Sequence, residues 1–91
     1  MRGWLLPLQR IESNNKNYTI YPNPSTGVFM LRNIADISFV EVYNVLGIQI
    51  FKQNINDNQL LIDMSNNTKG LYFVRLMKGH TLVATDKLLL E

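Results

Sequence analysis

The sequence predicts an all-β domain, an antiparallel β-sandwich of about seven strands. Three observations carry that expectation. Apolar runs rich in Val, Ile, Phe and Tyr recur along the chain, and clusters of Gly, Pro, Asn and Ser separate them. Within several runs apolar and polar residues alternate, the period of two that puts successive side chains on opposite faces of a strand. No segment holds a 3.6-residue apolar period long enough for a helix, and residues 33–36 suit one helical turn at most.

Residues 1–10 show no clean period. Residues 11–17, Ile-Glu-Ser-Asn-Asn-Lys-Asn, are polar and read as a linker. The chain therefore divides into an N-terminal extension and linker over 1–17 and a β domain over 18–91. Residues 18–21 are β-prone and must stop at Pro22, because Pro22 and Pro24 each lack a backbone donor. Asn23, Ser25, Thr26 and Gly27 then favour a tight turn. Residues 28–32 alternate, with Phe29 and Leu31 as the expected core pair. In residues 37–45, Val40 and Val42 share one face and Phe39, Glu41 and Tyr43 the other. Asn44 to Gly47 signals a turn. Residues 48–52 follow, with Ile48 and Ile50 opposite Gln49 and Phe51, which completes a hairpin.

Residues 54–59 are loop-like, and 60–64 form a short strand with Ile62 and Met64 on one side. A second polar loop, 65–70, leads into 71–78, where Tyr72, Val74 and Leu76 lie opposite Arg75 and should be buried. Lys78-Gly79 turns the chain into the last strand, 81–90. The expected core is Phe29, Leu31, Val40, Val42, Ile50, Ile62, Tyr72, Val74 and Leu76. Seven strands in a segment this size fit an immunoglobulin-like sandwich, and Tyr72, at the start of the sixth, resembles the tyrosine corner of such folds. The Cys-Trp-Cys pattern of true immunoglobulin domains is missing; there is no cysteine, and the sole tryptophan, Trp4, lies outside the predicted domain.

Composition excludes several function classes. Ninety-one residues suit one domain with a thin core. The net charge of +2 comes from nine basic residues spread along the chain, without the cluster or helical stripe that a phosphate-facing nucleic-acid site requires. The absence of cysteine removes disulfides, thiolate zinc sites and a cysteine nucleophile together. No apolar stretch is long enough to span a bilayer. The run Trp4-Leu5-Leu6-Pro7-Leu8 is too short for a signal-peptide core and is broken by Pro7, so an export signal is expected elsewhere in a longer parent.

His80 is the only histidine and falls in a predicted turn, where no buried acid is assured to orient it. None of Ser13, Ser25, Ser38 or Ser65 sits in a nucleophile elbow. The sequence therefore predicts no enzyme, no cofactor and no catalytic residue. Asp36, Asp57 and Asp63 could meet near one end of a sandwich and hold calcium. No Asp-x-Asp-x-Asp run accompanies them, and they read as solvated loop acids. Gly27, Gly47, Gly70 and Gly79 fall where the chain must reverse, and a positive φ is the expected reason.

Three turn signals stand in fixed order: Tyr21-Pro22-Asn23-Pro24-Ser25-Thr26-Gly27, Val42-Tyr43-Asn44-Val45-Leu46-Gly47 and Gly70-Leu71-Tyr72-Phe73-Val74. Lys87-Leu88-Leu89-Leu90 closes the series. Together they resemble the C-terminal sorting domain of type IX secretion cargo, over residues 18–90. The resemblance implies an immunoglobulin-like sandwich without activity of its own, carried at the end of a larger exported protein. It implies passage through the periplasm, recognition by the outer-membrane secretion translocon, and removal by a sortase-like peptidase that joins the cargo to the cell surface. The family motifs fall on Pro22, Pro24, Gly27, Gly47, Gly70, Tyr72, Gly79 and Lys87. The last strand is expected to offer its edge for pairing or recognition. An alternative from another class is an accessory carbohydrate- or protein-binding sandwich of a surface enzyme, with Tyr18, Tyr21, Phe39, Tyr43 and Phe51 as its aromatic platform.

Overall fold

The computed structural model describes residues 17–91; the extension and most of the linker expected over 1–17 lie outside them. Seven strands make up the described chain: β1 (Thr19–Tyr21), β2 (Val28–Arg32), β3 (Phe39–Tyr43), β4 (Gln49–Asn54), β5 (Gln59–Asp63), β6 (Gly70–Lys78) and β7 (Thr81–Leu90). They form two antiparallel sheets, ordered β1-β2-β5 and β4-β3-β6-β7. The chain changes sheet between β2 and β3, between β4 and β5, and between β5 and β6, the sandwich connectivity of an immunoglobulin-like domain. No helix is long and apolar enough among these residues to cross a membrane.

The core lies between the inward faces. Phe29 and Leu31 from β2, Val40 and Val42 from β3, Ile62 from β5, and Tyr72, Val74 and Leu76 from β6 are all buried, as alternation requires. Val42 faces Val74 and Val40 faces Leu76 across the β3–β6 ladder. Each end of the sandwich is also plugged. Tyr18, Ile34, Ile37, Met64, Leu88 and Leu90 join the core from loops and strand ends where period-two reasoning has little purchase.

Ile50 departs from expectation, being only half-buried against the core. On the β3–β4 ladder Val42 faces Phe51 and Tyr43 faces Gln49, so Ile50 is the extra residue of a bulge. The bulge breaks the alternation and lets Ile50 and Phe51, predicted on opposite faces, both pack on the core.

Register defines the two ends. Val28 pairs with Asp63, Tyr43 with Gln49 and Phe73, and Gly70 with Leu90. The β1–β2, β3–β4 and β5–β6 loops therefore share one end with the C-terminus. The β2–β3, β4–β5 and β6–β7 connections share the other, tied by Ser38, which donates to Met77 O, accepts from Ile55 N and receives Gly79 N–H on its hydroxyl.

Candidate functional site

The candidate motif residues sit mostly at the end that holds the C-terminus. Pro22, Pro24 and Gly27 shape the β1–β2 loop and Gly47 the β3–β4 turn. Gly70 starts β6, opposite Leu90, while Tyr72 faces Leu88 and Lys87 faces Phe73. Gly79 is the exception, in the β6–β7 turn at the far end. The glycines do not share one reason. Gly47, Gly70 and Gly79 have positive φ values of 81°, 144° and 61°. Gly27 does not; it is buried, and a Cβ there would stand 3.4 Å from that of Ser65, so close packing of the two loops is its constraint.

The β1–β2 loop closes over the outer edge of β7. Asn23 lies between two cis prolyl bonds, Tyr21-Pro22 and Asn23-Pro24. Its carboxamide donates to Lys87 O at 2.7 Å and accepts from Leu89 N at 3.0 Å, as the main chain of a neighbouring strand would. Ser25 continues the pairing: its N–H donates to Leu89 O, and its carbonyl accepts from Glu91 N at 2.8 Å, a parallel bridge to Leu90. Asp86 Oδ1 takes the Lys87 N–H at 2.9 Å. Every outward-facing backbone group from Lys87 N to Glu91 N therefore has a partner. The expectation of an open terminal edge is corrected here: from Lys87 onward the edge is sealed, and the side chains of Lys87 and Leu89 remain at the surface.

Supporting contacts hold the loop in place. The Ser25 hydroxyl donates to Val28 O at 2.5 Å and accepts from Gly27 N at 3.1 Å, which satisfies the one buried polar residue of the described chain. On the other side of β7, Lys69 Nζ donates to Glu91 O at 2.6 Å. The Tyr72 hydroxyl donates to Thr68 O, four residues upstream, at 2.5 Å. This is the tyrosine corner expected from the sequence, and it fastens the β5–β6 loop. The same loop starts with Ser65 donating its amide and hydroxyl to Asp63 Oδ1, which holds the Asp63 carboxyl below its usual range. The β3–β4 turn is organised by Asn44, whose Oδ1 accepts from Leu46 N and Ile48 N and leaves Val45 and Leu46 exposed at the tip.

Tyr18 links the sheets beside this site. Its hydroxyl donates to Asp86 Oδ2 at 3.1 Å. Burial, and then the neighbouring Asp86 carboxylate, push the tyrosine up to about 12. Sequence reasoning missed Tyr18, Asn23, Ser25 and Asp86 as partners of the terminal strand. Asn23 had a local signal, an Asx residue between two prolines; the others are brought together only by the fold.

The remaining candidates disperse. Asp36 and Asp57 lie in far-end loops, whereas Asp63 closes β5 at the opposite end, and no cluster of three potential metal ligands occurs among the described residues. His80 is exposed in the β6–β7 turn. The proposed aromatic platform does not assemble. Tyr18 is in the core, Phe51 packs against it, and Tyr21 stands on the outer face of the other sheet from Phe39 and Tyr43. Lys52 Nζ lies 4.5 Å from the Phe39 ring centroid, and the Arg75 guanidinium 5.6 Å from that of Tyr43.

Comparison with known proteins gives two findings. The family described as "Secretion system C-terminal sorting domain" matches residues 19–91. A relative named Ulvan lyase NLR42, from Nonlabens ulvanivorans, is 30% identical over 75 residues. The match takes in 79% of this chain and 14% of that protein, so the chain spans a small part of the relative's length.

Proposed function

The chain belongs to the secretion system C-terminal sorting domain family, and from that membership we propose that its recognised element is the sealed end of the sandwich. The family is one of non-catalytic type IX secretion signals whose cargo is exported to the cell surface or beyond. The observation that supports this end as the signal is the β1–β2 loop clamped onto β7. It joins Pro22, Pro24 and Lys87, which are 65 positions apart at the extremes, in one surface. Gly27, Gly47, Gly70 and Tyr72 shape the loops around that surface, and Gly79 acts at a distance by turning β6 into β7. The translocon reads this end during passage from the periplasm. A sortase-like peptidase then cuts within residues 13–17 and transfers the cargo to the surface, with residues 1–17 serving as extension and linker and 18–91 as the sorting domain. A polysaccharide lyase is one cargo that fits, because a protein named as an ulvan lyase contains the matching stretch within a much longer chain.

The test is export of a signal-peptide-bearing reporter fused to the full chain, in a host with type IX secretion. The fusion reaches the surface, and deletion of residues 81–91 strands it in the periplasm. Lys87→Ala is the gentler variant, since one exposed charge barely affects stability. A folded Lys87→Ala protein with reduced export supports direct reading of this end. Export that survives the full deletion overturns the proposal.

A further inference from the structure

The basic residues look evenly scattered in the sequence, but folding concentrates three of them. Outward positions on the β4-β3-β6-β7 sheet form cross-strand rows. Lys52, Glu41 and Arg75 stand side by side in one row, and Tyr43, Phe73 and Lys87 in the next. A third row carries Phe39, Met77 and Leu82. This face therefore presents three cations against one carboxylate. The outer face of the β1-β2-β5 sheet, by contrast, carries Arg32 against Asp63.

The way the cations are held decides what they suit. Lys52 and Arg75 lie over the Phe39 and Tyr43 rings, which fixes their positions and covers the ring faces. A sugar-binding platform needs bare ring faces to stack on. Here the rings support the charges, and the ammonium and guanidinium groups are presented beside half-buried Phe73 and Met77 and exposed Leu82. Arginine and aromatic residues around an apolar centre form the composition of a protein interface, and the excess positive charge calls for an acidic partner.

We propose that this outer face docks an acidic protein surface of the secretion machinery, with Lys52 and Arg75 taking carboxylates of that partner. The inference rests on the secretion reading given above. It adds a second contact whose carboxylate-binding residues, Lys52 and Arg75, are not family motif positions, although Lys87 at the margin of the same face is one.

The test compares export of the full-chain reporter fusion carrying Lys52→Gln with Arg75→Gln, Lys52→Arg with Arg75→Lys, or the charge-matched pair Arg32→Gln with Lys78→Gln. The first pair lowers the exported fraction about tenfold, as loss of charge complementarity predicts, and the other two leave it near the parent level. Circular dichroism melts establish that each purified chain is folded. If the first pair is unfolded, exposed Lys52→Gln alone serves in its place, with a drop of about threefold. Undiminished export from a folded Lys52→Gln, Arg75→Gln chain overturns the inference. So does loss of retention on a sulfated-polysaccharide column with export intact, which would assign the face to carbohydrate. A parent fusion that is not exported at all removes the secretion reading itself. Parent export with selective loss in the first pair supports both.

Discussion

Tyr18 and Tyr72 are both buried tyrosines, yet their hydroxyls do different work. Tyr72 donates to a neutral carbonyl and fixes a loop. Tyr18 donates to the Asp86 carboxylate, so losing its proton would place two negative charges side by side. The consequence is a dependence on alkaline pH. The folded-state value, about 12, lies above the ordinary tyrosine value of 10.0. The unfolded chain therefore releases the proton first, and the contribution of this contact is complete below pH 10.0 and declines as pH rises through 12. Urea unfolding at a series of pH values should show the stability difference between the parent and Tyr18→Phe shrinking across that window. A difference independent of pH from 9 to 12 would contradict the assignment. Tyr72 was legible as a corner residue because the corner is a local contact. The partner of Tyr18 was not, since Asp86 lies 68 positions away.

The strands themselves were readable because their limits are written in turn chemistry. Pro22 ends β1, Asn44 and Gly47 reverse the chain between β3 and β4, and Gly79 reverses it between β6 and β7. Alternation placed the inward residues of β2, β3 and β6 correctly. It failed at Ile50, because a bulge inserts a residue without any marker in composition. It was also silent on the sealed edge of β7, where the partner is a side chain imitating a strand. Asn23→Ala tests that element. Removing both carboxamide bonds should cost about 1–2 kcal/mol in urea unfolding and speed hydrogen exchange at the Leu89 amide. Unchanged exchange at Leu89 would show that the seal does not depend on Asn23. Such a loss is modest because the bonds are exposed and water replaces them.

For the molecule as a whole, the two sheets differ in how they treat their margins. β1 is three residues long and stops at a proline; β4 has a bulge and Lys52; β7 has a register shift at Leu76/Met77 and is sealed from Lys87 onward. These are devices that keep strands from pairing with other chains. Backbone engaged in this way resists proteases, so limited proteolysis of the full chain should cut first before Tyr18, within the polar stretch 13–17. Early cuts between Val28 and Leu76 would contradict the division into linker and domain. The charged face behind Lys52 and Arg75 shows why surface function was the least legible layer. Its cations come from β4, β6 and β7, far apart in sequence, and only the ladder register makes them neighbours.

The clasp between Asn23, Ser25 and the last residues of β7 joins the first loop of the domain to its final strand. A chain that stops at Lys87 retains β1 and the loop but has no Leu89 N–H, no Leu89 carbonyl and no Glu91 N–H for them to hold. The end surface therefore exists only when β7 is present through Glu91 and docked against the β1–β2 loop. If the translocon reads that surface, as proposed above, it senses the folding of residues 81–91 as well as their sequence, and chains whose last strand is missing or undocked fail to present it.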